Sequence, residues 1–387
     1  MSKFKVSAPG KMFLCGEHMI MYGKQAVAAS LDLRTTLKFI ELINNPRNII
    51  KIEFPDVNLS LNLSLELVQN FFFTNDFLPR FENEIMLLKR VQYFININGL
   101  WSTYEQRYSL QIFLFLLLYI AREEELDIKS FHVHLTTQLP INAGFGSSTS
   151  FAVCLAACFL HWSRLQEGAH FDFDNEELKI IISYVIICEI SMQNYEVIDP
   201  IVCACGQVLK ACYKTPRNYD LRYLEIPRMK ILLIDSGIRQ NNYEQMMAKM
   251  AQIKQSNPDG SDYFLSIIDD LSKLIFDRLV IITFSQFFNN LQQFYYSYTL
   301  LKKFIRLSQN IFHRAGLSHS TLDTIISIAK NHGFVGKLTG FHGYAYILLP
   351  PDAPRENIRN LLMHLELRGF TVRMTSVSCN SVKLDGV

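Results

Sequence analysis

The segment that most constrains the fold is LPINAGFGSSTSFAVCL, residues 139–155. Small and hydroxyl residues crowd a short turn, and an apolar run with helical spacing follows at once, which predicts a helix from Ser148 to about Arg164. The preceding residues 130–139, SFHVHLTTQL, alternate as a strand does. A strand that leads through a flexible loop into a buried helix indicates a chain that mixes α and β structure.

The loop itself is suited to binding an anion. The first turn of a helix leaves about four N–H groups without partners and carries partial positive charge. Gly144 and Gly146 allow the backbone to approach an anion closely, and Ser147 and Ser148 add hydroxyls for phosphate oxygens or Mg²⁺. The alternative is a strand–helix turn that needs small residues and is capped by serine. The loop alone leaves both interpretations open, and it lacks the lysine of the GxxxxGK[ST] phosphate loop.

Length, composition and net charge exclude several classes of protein. A chain of 387 residues, with 49% hydrophobic and 19% charged residues, predicts two packed domains with a sizeable core. The formal net charge of +2 and the absence of a basic tract make a nucleic-acid partner unlikely. The apolar run 109–121 is too short to span a bilayer and predicts a buried helix. Without a signal-peptide pattern or CxxC pairs, we expect a cytoplasmic protein with reduced core thiols.

Local patterns predict further elements in the first half of the chain. KFKVSAPG begins as a strand that we expect to break at Pro9–Gly10. His132 and His134 should share one face of strand 130–139, which is typical of a solvated strand and only rarely of a metal site. Asp174 with Glu177 three residues later predicts a helix N-cap.

Other patterns organise the second half. NPDGSD, residues 257–262, predicts a loop before a largely helical, aromatic-rich stretch. Ser320 with Asp323 predicts a capping box. A final strand–helix–strand order predicts an α+β second half, and the break between halves falls near residues 225–229.

Three segments together resemble a known family. They are SAPGKMFLCGEHMIMYGKQAVAASLDLRT (residues 7–35), the loop segment described above, and HSTLDTIISIAKNHGFVGKLTG (residues 319–340). With weaker matches between them, they resemble the GHMP kinases, the small-molecule kinases named for galactose, homoserine, mevalonate and phosphomevalonate. The resemblance implies a two-domain α+β fold with the active site in the cleft between the domains. It implies a ribosomal-protein-S5-like N-terminal domain over residues 1–227 and a ferredoxin-like C-terminal domain over residues 228–387.

Within the family, the motifs are most similar to those of the members that phosphorylate mevalonate. The implied activity is transfer of a phosphoryl group from ATP, with Mg²⁺, to mevalonate, giving 5-phosphomevalonate for isoprenoid biosynthesis. Two alternatives stay open: a catalytically weak ligand-binding homologue, and a sister kinase of the family that acts on another small alcohol. The resemblance also implies a homodimer and competition by prenyl diphosphates.

The resemblance assigns roles to particular residues. Asp199 and Lys11 are the expected catalytic pair, with Asp199 taking the proton of the alcohol, and Ser148 and Glu189 are the expected metal ligands. Mevalonate would contact Lys11, Glu17, His18 and Asp199. The expected nucleotide-binding residues are Lys11, Thr137, Asn142, Ala143, Gly144, Phe145, Gly146, Ser147 and Ser148. The residues themselves support one assignment, because an unpaired Asp199 in the apolar context EVIDPIV would be unfavourable.

Three departures from the family pattern motivate the weak-homologue alternative. After Gly340 the family has a run of glycines, whereas this chain reads FHGYAYILLP, with bulky residues at 341, 342 and 344. The approach to Asp199 reads NYEVI in place of Asn-Pro-Ser-Gly. Phe151 stands where the family usually has tyrosine.

Overall fold

The computed structural model describes residues 2–17, 19–43, 48–73, 83–194, 197–215, 218–238, 243–339 and 343–385. Their strands join into one mixed sheet. In chain order the strands are β1 Lys3–Cys15, β2 Gln25–Glu41, β3 Ile49–Phe54, β4 Leu59–Ser64, β5 Phe131–Thr137, β6 Val208–Thr215, β7 Asn218–Leu224, β8 Met229–Asp235, β9 Val335–Leu338, β10 Tyr344–Leu348, β11 Thr371–Val377 and β12 Lys383–Asp385.

The main path of the sheet runs β4-β3-β5-β2-β11-β8-β10-β9. Strand β1 pairs antiparallel with β2 along almost its whole length and also with β12. Strand β6 pairs with β2 and with β7. Strand β2 is therefore the common partner of β1, β5, β6 and β11, and it links the two ends of the sheet.

Among the described residues up to 205, six α-helices and two short 3-10 helices, Met19–Tyr22 and Pro55–Val57, are present. The α-helices are α1 Leu65–Phe72, α2 Glu84–Ile97, α3 Tyr104–Glu123, α4 Ser147–Glu167, α5 Asn175–Ser191 and α6 Ile198–Cys205. The predicted buried helix is confirmed in α3, whose residues 110–121 are all buried. The predicted cap at Asp174 is confirmed as a full capping box with Glu177. Helix α4 packs against β1, β2, α3, α5 and α6, which fixes the position of the helix that the loop leads into.

The second half contributes α7 Tyr243–Ser256, α8 Pro258–Phe287, α9 Leu291–Arg314, α10 Ser320–Asn331 and α11 Arg355–Leu367. Helices α8 and α9 pack against each other as a long hairpin. The predicted final strand–helix–strand order is confirmed by β10, α11 and β11. Within the described residues, no helix combines the length and the hydrophobicity that a bilayer-spanning segment needs.

The expected break at Pro9–Gly10 is wrong, because β1 continues through it. The register of β1 on β2 shifts between Pro9 and Gly10, so the irregularity is absorbed as a β-bulge. Proline lacks only its own N–H donor, and a bulge is a position where that loss is tolerated. Lys11 therefore lies within a strand and not in a loop.

Two predictions in the second half are also wrong. Residues 257–262 begin α8 and do not form a loop, because the Asn257 side chain caps the helix and Pro258 occupies the first turn, where its missing N–H is harmless. Helix α10 is capped by His319 and not by Ser320. The Asp323 carboxylate instead accepts hydrogen bonds from the Ser318 hydroxyl and lies 2.8 Å from the His313 ring nitrogen.

The buried apolar residues form two large clusters. One joins β3, β4 and β5 to helices α1–α5. The other joins β8, β9 and β10 to helices α8–α11, and it also takes in Met12, Leu14 and Leu31 from β1 and β2. The first two strands thus contribute to both cores. The division at residues 227 and 228 stays a prediction.

Candidate active site

The loop between β5 and α4 is held against the strand that carries Lys11. The backbone N–H of Lys11 donates to the carbonyl of Phe145 over 2.9 Å. Gly10 permits this close approach, because a Cβ atom there would lie 2.4 Å from Leu139 and 2.9 Å from the Phe145 carbonyl oxygen. The loop backbone takes positive φ angles at Asn142 (57°), Gly144 (77°) and Gly146 (68°). These left-handed conformations curl the chain into the shape expected of an anion cradle.

Helix α4 begins at the end of this loop. Its N-cap is Gly146, which has no side chain to satisfy the N–H groups of the first turn. Ser147 is half-buried and Ser148 is exposed. The positive end of a 21-residue helix therefore opens onto the loop beside two hydroxyl groups. This geometry favours the anion-binding interpretation over a purely structural turn.

Lys11 and Asp199 meet beneath the loop. Lys11 Nζ lies 2.8 Å from Asp199 Oδ1, and the two side chains are only 5% and 12% exposed. Asp199 lies in the first turn of α6. A Cβ atom on Gly146 would lie 3.5 Å from Asp199 Oδ2 and 3.6 Å from Lys11 Cβ, so the pair is in direct reach of the cradle. The burial and pairing of Asp199 inferred from its apolar sequence context are confirmed.

A second carboxylate lies on the neighbouring helix. Glu189 is buried near the end of α5, and its Oε1 accepts a hydrogen bond of 2.6 Å from the Thr149 hydroxyl. Thr149 follows Ser148 directly, so Glu189 is tied to the first turn of α4. Burial raises the pKa of the Cys203 thiol, and the negative charges of Asp199 and Glu189 raise it further. The charge of Lys11 acts in the opposite direction and lowers the pKa of that thiol.

A cavity of about 340 Å³ opens beside the loop. Its walls include the rings of Phe54, Tyr108 and Phe151. Four predicted nucleotide-binding residues line it: Thr137, Asn142, Ser147 and Ser148. A cavity that combines aromatic rings with polar side chains beside the loop has the size and the lining of a small-molecule site.

Some lining residues were missed by the sequence reasoning. Asp56 lines the cavity and accepts a hydrogen bond of 2.7 Å from the backbone N–H of Thr137. Tyr108 lies at the start of α3, and burial followed by the charge of Glu189 raises the pKa of its hydroxyl. Neither residue lies in a recognisable motif. Asp56 follows β3, and the pairing of β3 with β5 brings it to the cavity.

Two residues of the GEH segment, Glu17 and His18, are expected to line a substrate pocket, and the structure describes only Glu17. Glu17 is fully buried and forms an ion pair with Lys337, which is also fully buried. The structure places the Glu17 carboxylate beneath the surface, and its contact with mevalonate stays a prediction. His18 lies outside the described residues.

The structure describes only some of the residues at the three departures from the family pattern. Positions 340–342 lie outside the described residues, but Tyr344 packs its ring edge-on against Phe145 at 5.1 Å and donates its hydroxyl to Asp235. Its bulk therefore braces the loop. Residues 195 and 196 also lie outside the described part of the chain. Phe151 packs edge-on against Phe54 at 5.0 Å in the wall of the cavity.

The donor set suits Mg²⁺ carried on a triphosphate. Magnesium is usually held by one or two protein oxygens together with phosphate oxygens and water, so it does not need a cage of several carboxylates. In the described residues, no group of three or more His, Cys, Asp or Glu residues could hold a metal ion. Ser148 and Glu189 supply a hydroxyl and a carboxylate at the helix start, which fits this mode of binding.

In its fold and in its site, a glycine–serine loop at a helix N-terminus above a buried lysine–aspartate pair, the chain is similar to the GHMP kinases. Residues 112–207 match the sequence profile of the GHMP kinases N terminal domain. This confirms the expected family resemblance.

Along nearly its whole length the chain is similar to mevalonate kinases. It is 27% identical to the mevalonate kinase of Dictyostelium discoideum, with 95% of this chain and 92% of that protein covered. The fold matches the crystal structure of the Methanococcus jannaschii mevalonate kinase with a TM-score of 0.67 at 19% identity, over 98% of this chain and 99% of that one. It also matches L. major mevalonate kinase in complex with R-mevalonate, with a TM-score of 0.61 at 13% identity, over 98% and 97%. The predicted mixed α and β fold class is confirmed.

Proposed function

We propose that this protein phosphorylates mevalonate to 5-phosphomevalonate with ATP and Mg²⁺. The observation that carries the proposal is the buried pair of Lys11 and Asp199, 2.8 Å apart, next to the loop that leads into α4. The similarity to curated mevalonate kinases over 95% of the chain supports mevalonate as the alcohol.

The chain's own residues supply the parts that phosphoryl transfer needs. Asp199 accepts the proton of the substrate hydroxyl as that oxygen attacks the γ-phosphorus. The Lys11 ammonium, held 2.8 Å from Asp199, stabilises the alkoxide character of the attacking oxygen and the charge on the transferred group. The backbone N–H groups at the start of α4 bind the phosphates, and their partial positive charge needs no reorganisation during the reaction.

Ser148 and Glu189 are the residues that would hold Mg²⁺. When bound, the ion neutralises charge on the phosphates and orients them. Thr149 fixes the Glu189 carboxylate in place. The aromatic cavity bounded by Tyr108 and Phe151 would take the adenosine, and Thr137 and Asn142 would contribute polar contacts at its rim.

Two alternatives to this function each rest on a specific observation. A sister kinase of the family acting on another alcohol is consistent with the same cradle and the same Lys11–Asp199 pair. A weakly catalytic ligand-binding homologue is motivated by the altered segments before Asp199 and after Gly340. Against the second alternative, Lys11, Asp199, Ser148 and Glu189 are all retained around one cradle.

A coupled ADP-release assay tests the proposal. Purified protein with Mg-ATP should release ADP with mevalonate and yield 5-phosphomevalonate by mass spectrometry. Galactose, homoserine and phosphomevalonate should give rates at least a hundredfold lower. Turnover with one of these and not with mevalonate would establish the sister-kinase alternative. A thermal shift with Mg-ATP but no product from any alcohol would establish the binding homologue.

Three finer expectations stay predictions: inhibition by prenyl diphosphates, a homodimer and a cytoplasmic location. Competition of a prenyl diphosphate against Mg-ATP in the same assay tests the first. Light scattering at micromolar concentration tests the second, and fractionation of the source cells tests the third.

A further inference from the structure

The least expected contact in the molecule joins the two halves of the chain below the active site. Glu17 and Lys337 form an ion pair although 320 residues separate them in sequence, and both side chains are 0% exposed. A fully buried ion pair is generally no more stable than well-packed apolar residues of the same size, so its presence calls for a reason other than stability. Geometry is the reason that the surrounding contacts indicate.

Lys337 is held by several partners besides Glu17. Its Nζ donates to the carbonyl of Leu338 over 2.9 Å and lies 4.9 Å from the centroid of the Phe312 ring. The N–H of Leu338 in turn donates to Gln309 Oε1 over 2.9 Å. Lys337 and Leu338 together therefore fix the end of β9 on helix α9.

Each residue of the ion pair is close in sequence to an element of the site. Glu17 follows the end of β1, the strand that carries Lys11. Lys337 stands two residues before Thr339, whose N–H donates to the carbonyl of Tyr344 over 2.9 Å. The ring of Tyr344 packs against Phe145.

Phe145 connects this chain of contacts back to the strand that carries Lys11. The Phe145 carbonyl accepts the N–H of Lys11. In addition, the Tyr346 hydroxyl donates to the carbonyl of Leu14 over 3.1 Å, which makes a second link between β10 and β1. The β9–β10 pair and the Lys11 strand are thus joined by the Tyr346–Leu14 hydrogen bond and by the Glu17–Lys337 ion pair.

We propose that Glu17 and Lys337 are positioning residues, which set the Lys11 strand and the β9–β10 pair at the separation that phosphoryl transfer requires. This inference rests on the proposed function and assigns Glu17 a role beneath the substrate pocket. A displacement of about 1 Å among reacting groups can lower a rate by on the order of a hundredfold. Loss of the pair should therefore lower turnover much more than it weakens nucleotide binding.

The test uses the full-length protein and three variants: Glu17→Gln, Lys337→Met and the double variant. Each single change leaves one buried charge without its partner and should lower Tm, whereas the double variant removes both charges and should recover it. Measured well below Tm, kcat/KM for mevalonate should fall about a hundredfold in the single variants. It should stay at least tenfold low in the double variant, while the Kd of Mg-ATP changes less than threefold in all of them. Recovery of both Tm and kcat/KM in the double variant would overturn the proposal, because the pair would then only fill buried space.

A matched control and a second readout complete the experiment. Glu124→Gln breaks the partly buried contact with Arg164 in the helical layer and should lower Tm without changing kcat/KM. Hydrogen exchange of the unliganded protein should speed up in residues 8–15 and 335–346 of the Glu17 and Lys337 variants, and not in the Glu124 variant. This readout remains decisive if the wild-type protein does not turn over mevalonate, a result that would overturn the proposed function alone. Unchanged exchange in those two segments would refute the positioning role.

Discussion

The hydroxyl of Thr149 donates to Oε1 of Glu189 over 2.6 Å and joins the first turn of α4 to the end of α5. Both side chains are buried, with Thr149 2% and Glu189 3% exposed. Since Ser148 is the residue before Thr149, this hydrogen bond sets the direction in which the second proposed Mg²⁺ ligand presents its carboxylate relative to the first. The proposed metal site therefore depends on a residue that itself would not touch the metal.

Thr149→Val should weaken the response to Mg²⁺. The change removes the donor that orients Glu189, and loss of such an outer partner typically lowers metal affinity 10- to 100-fold. We expect the concentration of free Mg²⁺ that gives half-maximal turnover to rise about tenfold at saturating ATP. Thr283→Val is the control, because that hydroxyl donates to a backbone carbonyl within α8. An unchanged Mg²⁺ dependence in Thr149→Val would remove Glu189 from the metal site.

Asp199→Asn should abolish most turnover and leave nucleotide binding intact. The amide cannot take a proton from the alcohol, and a positioned general base typically contributes about 10²- to 10⁴-fold. We expect kcat to fall about a thousandfold by ADP release, with the Kd of Mg-ATP by calorimetry within threefold of wild type. Asp220→Asn on β7 removes an exposed ion pair with Lys214 on β6 and should match wild type in both measurements. A normal kcat in Asp199→Asn would show that the proton goes elsewhere.

Gly146→Ala should impair nucleotide binding. The φ angle of 68° is strained for alanine by about 1–2 kcal/mol, and the new methyl group would lie 3.3 Å from Cys203 Sγ. The Kd of Mg-ATP should rise about tenfold, because the loop must shift at the point where α4 begins. Gly168→Ala at the other end of α4 is the control, since its backbone is extended and its Cβ would meet open space. Equal effects of the two changes would mean that the loop shape is not needed for binding.

The free energy of unfolding should decrease between pH 6.5 and pH 4. Burial, and after it the charge of His170, lowers the pKa of His161 from 6.5 to about 4. The unfolded chain then binds the proton more readily than the folded one, so this contribution is complete above pH 6.5 and is lost as the pH falls towards 4. At about 1.4 kcal/mol per pKa unit, the loss reaches roughly 3 kcal/mol.

Urea unfolding of wild type and His161→Gln at several pH values checks this prediction. The variant should show a flatter dependence over that range. The control His313→Gln alters a largely exposed histidine beside Asp323 and should keep the wild-type slope. Identical slopes for wild type and His161→Gln would assign the acid sensitivity to other groups.

The local parts of the site could be predicted from the sequence because their signals are local. Consecutive small residues before an apolar run indicate the cradle and the start of α4. The apolar surroundings of Asp199 predict a buried, paired carboxylate, and Lys11 is the partner found. The errors at Pro9–Gly10 and Asn257–Asp262 have one cause. Proline and glycine mark irregular backbone, but a bulge and a helix first turn use that irregularity as readily as a loop does.

The rest of the site depends on long-range pairing, which a single sequence does not carry. Asp56 reaches Thr137 only because β3 and β5 are neighbours. Lys337 reaches Glu17 only because the pairing of β9 with β10 places β9 close to the end of β1. The ion pair of Glu17 could not be predicted, since nothing near Glu17 in sequence indicates a buried cation.

The position of β2 has a consequence for how the protein reaches its native state. Its partners are supplied by residues 3–15, 131–137, 208–212 and 377, so its hydrogen bonds close some of the longest loops in the chain. Chains dominated by such distant pairings fold slowly and expose unpaired strand edges meanwhile. Newly made polypeptide should therefore be prone to aggregation until residues 371–377 have docked, and production at low temperature or with a chaperone should raise the yield of native protein.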